Sequence, residues 1–178
     1  SITKHIVMIV VLVATLSSCN QNTSLQTYFV DNQEKPNFLS IDAPVSMLNI
    51  DQTKLTEEQK DAYKSVQKLN MLAYKKDSVN TNGYNTELAK LEAILKDKKY
   101  QELMRGGNAT DGKFTIKYIG DDDDIDEFIL FGNANDMGFA VVRVLGNDMD
   151  PNKLMTLSSV LDKSNINDSK INQVMDFF

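Results

Sequence analysis

The chain has 178 residues, 42% of them hydrophobic and 25% charged, with a net charge of −6. That is enough apolar material for one domain without disulfides, and a single cysteine excludes an internal one. It also sets aside nucleic acid as a partner, because phosphate affinity comes from basic contacts and the only arginines are Arg105 and Arg143. By the same reasoning an anionic membrane surface is not expected to be an electrostatic target.

Lys4 and His5 precede an apolar run from Ile6 to Ala14, continued by Thr15 and Leu16. A basic start, a short apolar stretch and small residues at its end make a secretory signal, and the run is too short to span a membrane as a helix. Leu16-Ser17-Ser18-Cys19 resembles a lipobox. The thiol can accept a diacylglyceryl group, and the small residues let a peptidase reach the bond before it. Residues 1–18 are therefore read as a lipoprotein signal peptide and Cys19 as the lipid attachment site. Several acyl chains on one residue make attachment effectively permanent, at about 0.8 kcal/mol per buried methylene. Asn20-Gln21-Asn22-Thr23-Ser24 carries no acidic cluster, which leans towards an outer-membrane anchor facing the periplasm.

Residues 19–36 read as a lipid-anchored polar tether, rich in Asn and Gln and broken by Leu25 and Tyr28-Phe29-Val30. A solvated tether contributes little to stability, so a single α+β domain is expected over residues 37–178. Asn37 to Asp42 alternates as a strand does. Thr56-Glu57-Glu58-Gln59 is a capping box, followed by Ala62, Tyr63 and Val66 at helical spacing. Leu69 to Tyr74 predicts a strand, and Asn82-Gly83 a turn. Asn85 is the expected cap of a second helix with Leu88, Leu91, Ile94 and Leu95 on one face.

From Tyr100 the period changes to two. Tyr100–Arg105, Lys113–Ile119, Ile125–Phe131 and Met137–Leu145 predict four strands with short Gly- and Asp-rich connections, hence an antiparallel meander. The last carries apolar residues on both faces, as a strand covered at least in part on both sides does. Asp150-Pro151 starts a helix with Leu154, Leu157 and Leu161 facing inward, and Ile171, Val174, Met175 and Phe178 form a final helical stripe. The fold class is α+β, an antiparallel meander sheet of five to six strands with helices packed on it.

This order, with Tyr100-Gln101-Glu102-Leu103-Met104-Arg105 before the meander, resembles a lipoprotein family of Bacteroidetes catalogued as a domain of unknown function, family four-two-five-two. The resemblance spans roughly Phe38 to Ile171. It implies a cell-envelope location and a link to envelope maintenance or stress, and it implies no catalytic signature.

Without residues 1–18 the chain has no histidine, and its cysteine carries lipid. His-based triads, cysteine proteases and His/Cys zinc sites lose their parts, and no Gly-rich phosphate loop occurs. No catalytic residue, metal or cofactor is expected. Asp121-Asp122-Asp123-Asp124-Ile125-Asp126-Glu127 invites calcium, but an EF-hand frame starting at Asp122 puts Glu127 where Gly belongs and Asn133 where Glu belongs. A solvated hairpin loop is the better reading. Asp77-Ser78-Val79 fits a short acceptor pattern for O-glycosylation at Ser78. Three functions stay open: a non-enzymatic module binding an envelope protein, a carrier of a small apolar or sugar-like ligand, and a hydrolase using paired carboxylates. A flat apolar patch favours the first, an enclosed apolar pocket the second, and two carboxylates across a cleft the third.

The anchor has a direct test. Metabolic labelling with a fatty-acid analogue is expected to mark the wild-type chain and to miss Cys19→Ala; labelling that survives the substitution rules out lipid on Cys19.

Overall fold

Leu25, Tyr28 and Phe29 stand at the i, i+3, i+4 spacing that gathers side chains on one face of a helix. In a computed structural model of the chain, which describes residues 23–161 apart from Asn49, Ala109 and Asp123, together with Phe177, they do so. Helix α1 runs over Leu25–Asn32, and Ser24 caps it by accepting from the Thr27 N–H at 3.1 Å. The segment expected to be solvated tether thus contains a helix whose Leu25, Tyr28 and Phe29 are buried in the main core, while Val30 stays exposed. Its first turn is pinned by the Leu25 N–H, which donates to the Tyr100 hydroxyl at 2.9 Å.

Strand β1 (Phe38–Pro44) follows, then two short 3-10 turns, Val45–Leu48 and Gln52–Lys54. Helix α2 (Glu57–Ser65) begins at the capping box as expected: Thr56 accepts from the Gln59 N–H and the Gln59 side chain accepts from the Thr56 N–H. Val66 opens strand β2 (Val66–Lys75) instead of closing that helix. Helix α3 (Thr81–Leu95) starts four residues before the predicted cap at Asn85, and Asn82-Gly83, expected as a turn before the helix, lies in its first turn. Asn80 precedes it without a side-chain cap. Burial decides this start, because Tyr84 docks in the core and donates to Asn133 Oδ1 at 2.5 Å. Leu91, Ile94 and Leu95 are buried, with Leu88 packed beside them, as predicted.

The meander is β3 (Gln101–Asn108), β4 (Gly112–Asp121), β5 (Asp124–Ala134) and β6 (Gly138–Met149). Its chain continues into helix α4 (Pro151–Leu161), where Asp150 Oδ1 accepts from the Asn152 N–H at 2.7 Å. The predicted stripe Ile171–Phe178 falls outside the described residues except for Phe177. All six strands are antiparallel in the order β1-β2-β6-β5-β4-β3, so the fold is α+β.

One face of this sheet carries α1 and α3. Tyr74 and Phe139, opposite each other on β2 and β6, stack at 5.5 Å between ring centroids, and Phe38 meets Tyr74 edge-on at 4.8 Å. Ile129, Phe131 and Val141 extend that floor, and the two helices close over it.

Burying Leu25, Tyr28 and Phe29 is worth about 1.5–3 kcal/mol for each side chain, comparable to the whole stability of many domains. A chain beginning at Asn37 is therefore expected to unfold at much lower denaturant than one beginning at Asn20. Phe29→Ala alone is expected to cost about 3–5 kcal/mol. Equal unfolding midpoints for the two chains would return residues 23–36 to the status of a tether.

Candidate functional site

Opposite the helices, the pleat brings a second set of side chains into rows that cross the whole sheet. The middle row reads Ile41, Met71, Val142, Leu130, Ile116, Met104, one residue from each strand in spatial order. All six are apolar. The row below it runs Ala43, Leu69, Val144, Phe128, Tyr118, Gln101. Leu154 of α4 and Val45 join the cluster that closes this lower row around Phe128 and Tyr118. The row above runs Leu39, Ala73, Ala140, Gly132, Phe114, Gly106.

Exposure concentrates on the β3–β4–β5 half of this face. Leu130 is 41% exposed, Phe114 43% and Met104 46%, and Leu103 joins them where a register shift between Glu102 and Met104 bulges β3. The Phe114 ring lies across Gly106, where a Cβ would come within 2.6 Å of the ring, while nothing stands within 4 Å above Gly132. The surface therefore has a ridge, the middle row, beside a furrow floored by Gly132. The furrow has a volume of about 360 Å³, lies open to solvent, and is flanked by Phe114, Met137 and Ala140. Among the described residues strand β6 is thus covered by helices on one face and at its Val144 end on the other, the partial double coverage expected of it.

A second depression, of about 460 Å³, lies between α1 and the end of α3, with Tyr28, Tyr100 and Lys96 among its walls. Tyr28 donates to Glu87 Oε2 at 3.0 Å; burial first, and the Glu87 carboxylate second, push its hydroxyl far above the ordinary tyrosine range, so it stays a donor. Both depressions are open, and each has one carboxylate in its wall, Asp97 or Asp111. A glycosidase-type pair needs two.

The acidic run divides at Glu127. Asp122 sits at the β4–β5 hairpin and accepts from the Tyr118 hydroxyl at 2.5 Å, a bond that raises the Tyr118 pKa. Among the described residues no group of three or more His, Cys, Asp or Glu side chains could hold a metal ion. Glu127, read above as the end of a solvated loop, is only 8% exposed and pairs on its face with Arg143, also 8% exposed. Arg143 donates through Nε and Nη2 to the two carboxylate oxygens at 2.6 and 2.9 Å, and its guanidinium lies 5.4 Å from the centre of the Phe29 ring. An arginine on the Phe139–Val141 side of β6 was the available signal, since that side faces the core. Glu102 is held below the ordinary glutamate range by hydrogen bonds from Arg105 at the exposed edge.

Ser78 lies exposed in the connection from β2 to α3, where Asp77 Oδ1 accepts from the Val79 and Asn80 N–H groups. Cys19 lies outside the described residues. No helix among the described residues is long and apolar enough to cross a membrane.

A family model described as a domain of unknown function (DUF4252) matches residues 28–157. The match begins inside α1, so the family unit includes part of that helix. No curated protein and no solved structure matches the chain.

The buried ion pair is separable from any binding surface. Glu127→Gln leaves Arg143 buried without a counter-charge and is expected to cost about 3–5 kcal/mol, whereas Glu127→Leu with Arg143→Met is expected to recover most of that loss. Urea unfolding of the wild type, Glu127→Gln and the double variant measures it. A double variant no better than Glu127→Gln would mean that the pair itself supplies the stability.

Proposed function

The chain belongs to the DUF4252 family of domains of unknown function, and we propose that it is a lipid-anchored envelope protein that works as a non-enzymatic interaction module. Lipid on Cys19 holds it on a membrane, the outer membrane facing the periplasm, and the sheet face opposite the helices docks an envelope protein.

The middle row of that face carries the reading. An antiparallel sheet that turns one side to water normally alternates apolar in and polar out. Here six strands contribute Ile41, Met71, Val142, Leu130, Ile116 and Met104 to the outer side. Ile41, Met71, Val142 and Ile116 are half-buried and Leu130 and Met104 exposed, and contiguous apolar surface left partly open in this way marks interaction sites. Its shape supports a macromolecular partner over a small ligand, because a carrier buries most of its cargo in a cleft, and the furrow over Gly132 is shallow and open. A knob from a flat partner fits the furrow, with Phe114 and Met137 as its rims.

A photo-crosslinking side chain placed at Leu130 or Met104 is expected to yield a discrete adduct in intact cells, and the same group at Val79, on the far loop, is expected to yield none. Leu130→Asp is expected to abolish the Met104 adduct while shifting the unfolding free energy by no more than about 1 kcal/mol. No adduct from either position, or equal adducts from Val79, would overturn the docking role.

A further inference from the structure

We propose that the open groove between α1 and the end of α3 is a seat for the phosphate of an anionic phospholipid headgroup, so that the helical layer faces the membrane and the bare sheet face points away from it. The proposal rests on the lipid anchor at Cys19 and adds to it an orientation and a lipid class.

The groove is walled by Lys90, Lys96 and Lys99 around Tyr28 and Tyr100, with Thr23 at its N-terminal side. Three lysines and two tyrosines lining one concavity match a headgroup that is anionic outside and glyceryl within. The cations are available. Lys96 and Lys99 are exposed, Lys99 lies 4.9 Å from the centre of the Tyr100 ring, and among the described residues only Lys90 of the three has a carboxylate partner, Glu87 at 2.7 Å. Asp97 is the one acidic residue in the wall. Arginine-like bidentate geometry is not needed, since lysine binds phosphate as a point charge.

Position supplies the second argument. Cys19 precedes Thr23 by four residues, a reach of at most about 14 Å whatever path the chain takes. The start of α1 is held to the domain through Tyr100, so the chain cannot pay out further. Lipid on Cys19 therefore brings the bilayer surface within lysine reach of this groove, where each lysine attracts an anionic leaflet by about fivefold in affinity. The net charge of −6 argues against such attraction for the chain as a whole, but the local arrangement differs. The acidic hairpin leans through Asp122 onto Tyr118, which lies on the opposite sheet face, and charges further apart than about 8–10 Å are largely screened at physiological salt.

Residues 19–178 with Cys19→Ala hold every described core residue and cannot be lipidated. This chain is expected to co-sediment with vesicles of phosphatidylcholine containing about one-third phosphatidylglycerol, and to stay in solution with pure phosphatidylcholine. Lys90→Gln, Lys96→Gln and Lys99→Gln together are expected to weaken sedimentation at least tenfold. Lys54→Gln, Lys75→Gln and Lys113→Gln, which remove the same charge outside the groove, are expected to change it less than threefold. No binding to the anionic vesicles, equal losses from the two triple variants, or competition by soluble glycerol phosphate at equal phosphate concentration would each overturn the headgroup seat. Fatty-acid labelling of the wild type separates the two claims: a labelled protein whose Cys19→Ala form ignores anionic vesicles keeps its anchor and loses the groove, and the reverse result loses the anchor alone.

Discussion

Strand β6 is paired along most of its length on both sides, with β2 through Lys75↔Gly138 to Val66↔Gly146 and with β5 through Ala134↔Gly138 to Ile125↔Met149. The β2–β6 ladder joins the N-terminal half of the chain to the meander, closing a loop of many residues before any contact offsets the entropy. Everything else follows from where it sits. Because β2 is inserted beside β6, Tyr74 stacks on Phe139 and Leu72 lies opposite Val141, and only that combined floor is wide enough for α1 and α3 to bury their apolar faces together. The approach is close enough that a Cβ on Gly138 would come within 2.0 Å of the Tyr74 carbonyl oxygen, and φ there is +137°, so glycine is required at the start of β6.

The same ladder decides what the opposite face looks like. Side-chain period in a strand is two, so committing Phe139, Val141 and Arg143 to the helical side sends Ala140, Val142 and Val144 to the other. On the helical side one charged residue is carried inward, and it is tolerated because Glu127 on β5 supplies both carboxylate oxygens and Phe29 a ring face. A pair of this kind contributes little net stability against an apolar replacement; its effect is to make α1, through Phe29, sense the register of β5 against β6. On the outer side Leu154 of α4 joins the cluster around the lower row, and on the β3–β5 half Leu130, Phe114 and Met104 stay exposed.

Two surfaces of opposite chemistry therefore lie on opposite sides of one sheet. The helical side ends in a lysine-lined groove next to the point where the chain leaves for Cys19, and the outer side presents apolar rows. With the proposed anchor and docking face, this separation would provide a membrane side and a partner side without a second domain. The buried hydrogen bond from the Leu25 N–H to Tyr100 fixes the start of α1 on the domain, so that under the proposed anchor only a few residues would separate the lipid from the groove.

The sequence by itself determined the local features. The capping box at Thr56, the helix face Leu88–Leu91–Ile94–Leu95 and the meander after Tyr100 are written in spacings of three, four and two residues, and such spacings act within a few residues of themselves. Family membership was legible as a resemblance, in the order of elements and the stretch Tyr100–Arg105 before the meander. Three things were decided only by tertiary structure. Leu25, Tyr28 and Phe29 carry a helical spacing too short to stand alone among Asn, Gln and Thr, and their helix exists because the β2–β6 floor buries it. Asn82-Gly83 reads as a turn locally, but burial of Tyr84 carries the helix through it. Glu127 ends a run of acids and reads as solvated until β5 is placed beside β6, when Arg143 comes within hydrogen-bond reach. Each is a long-range contact, and a long-range contact has no signature in the residues adjacent to it.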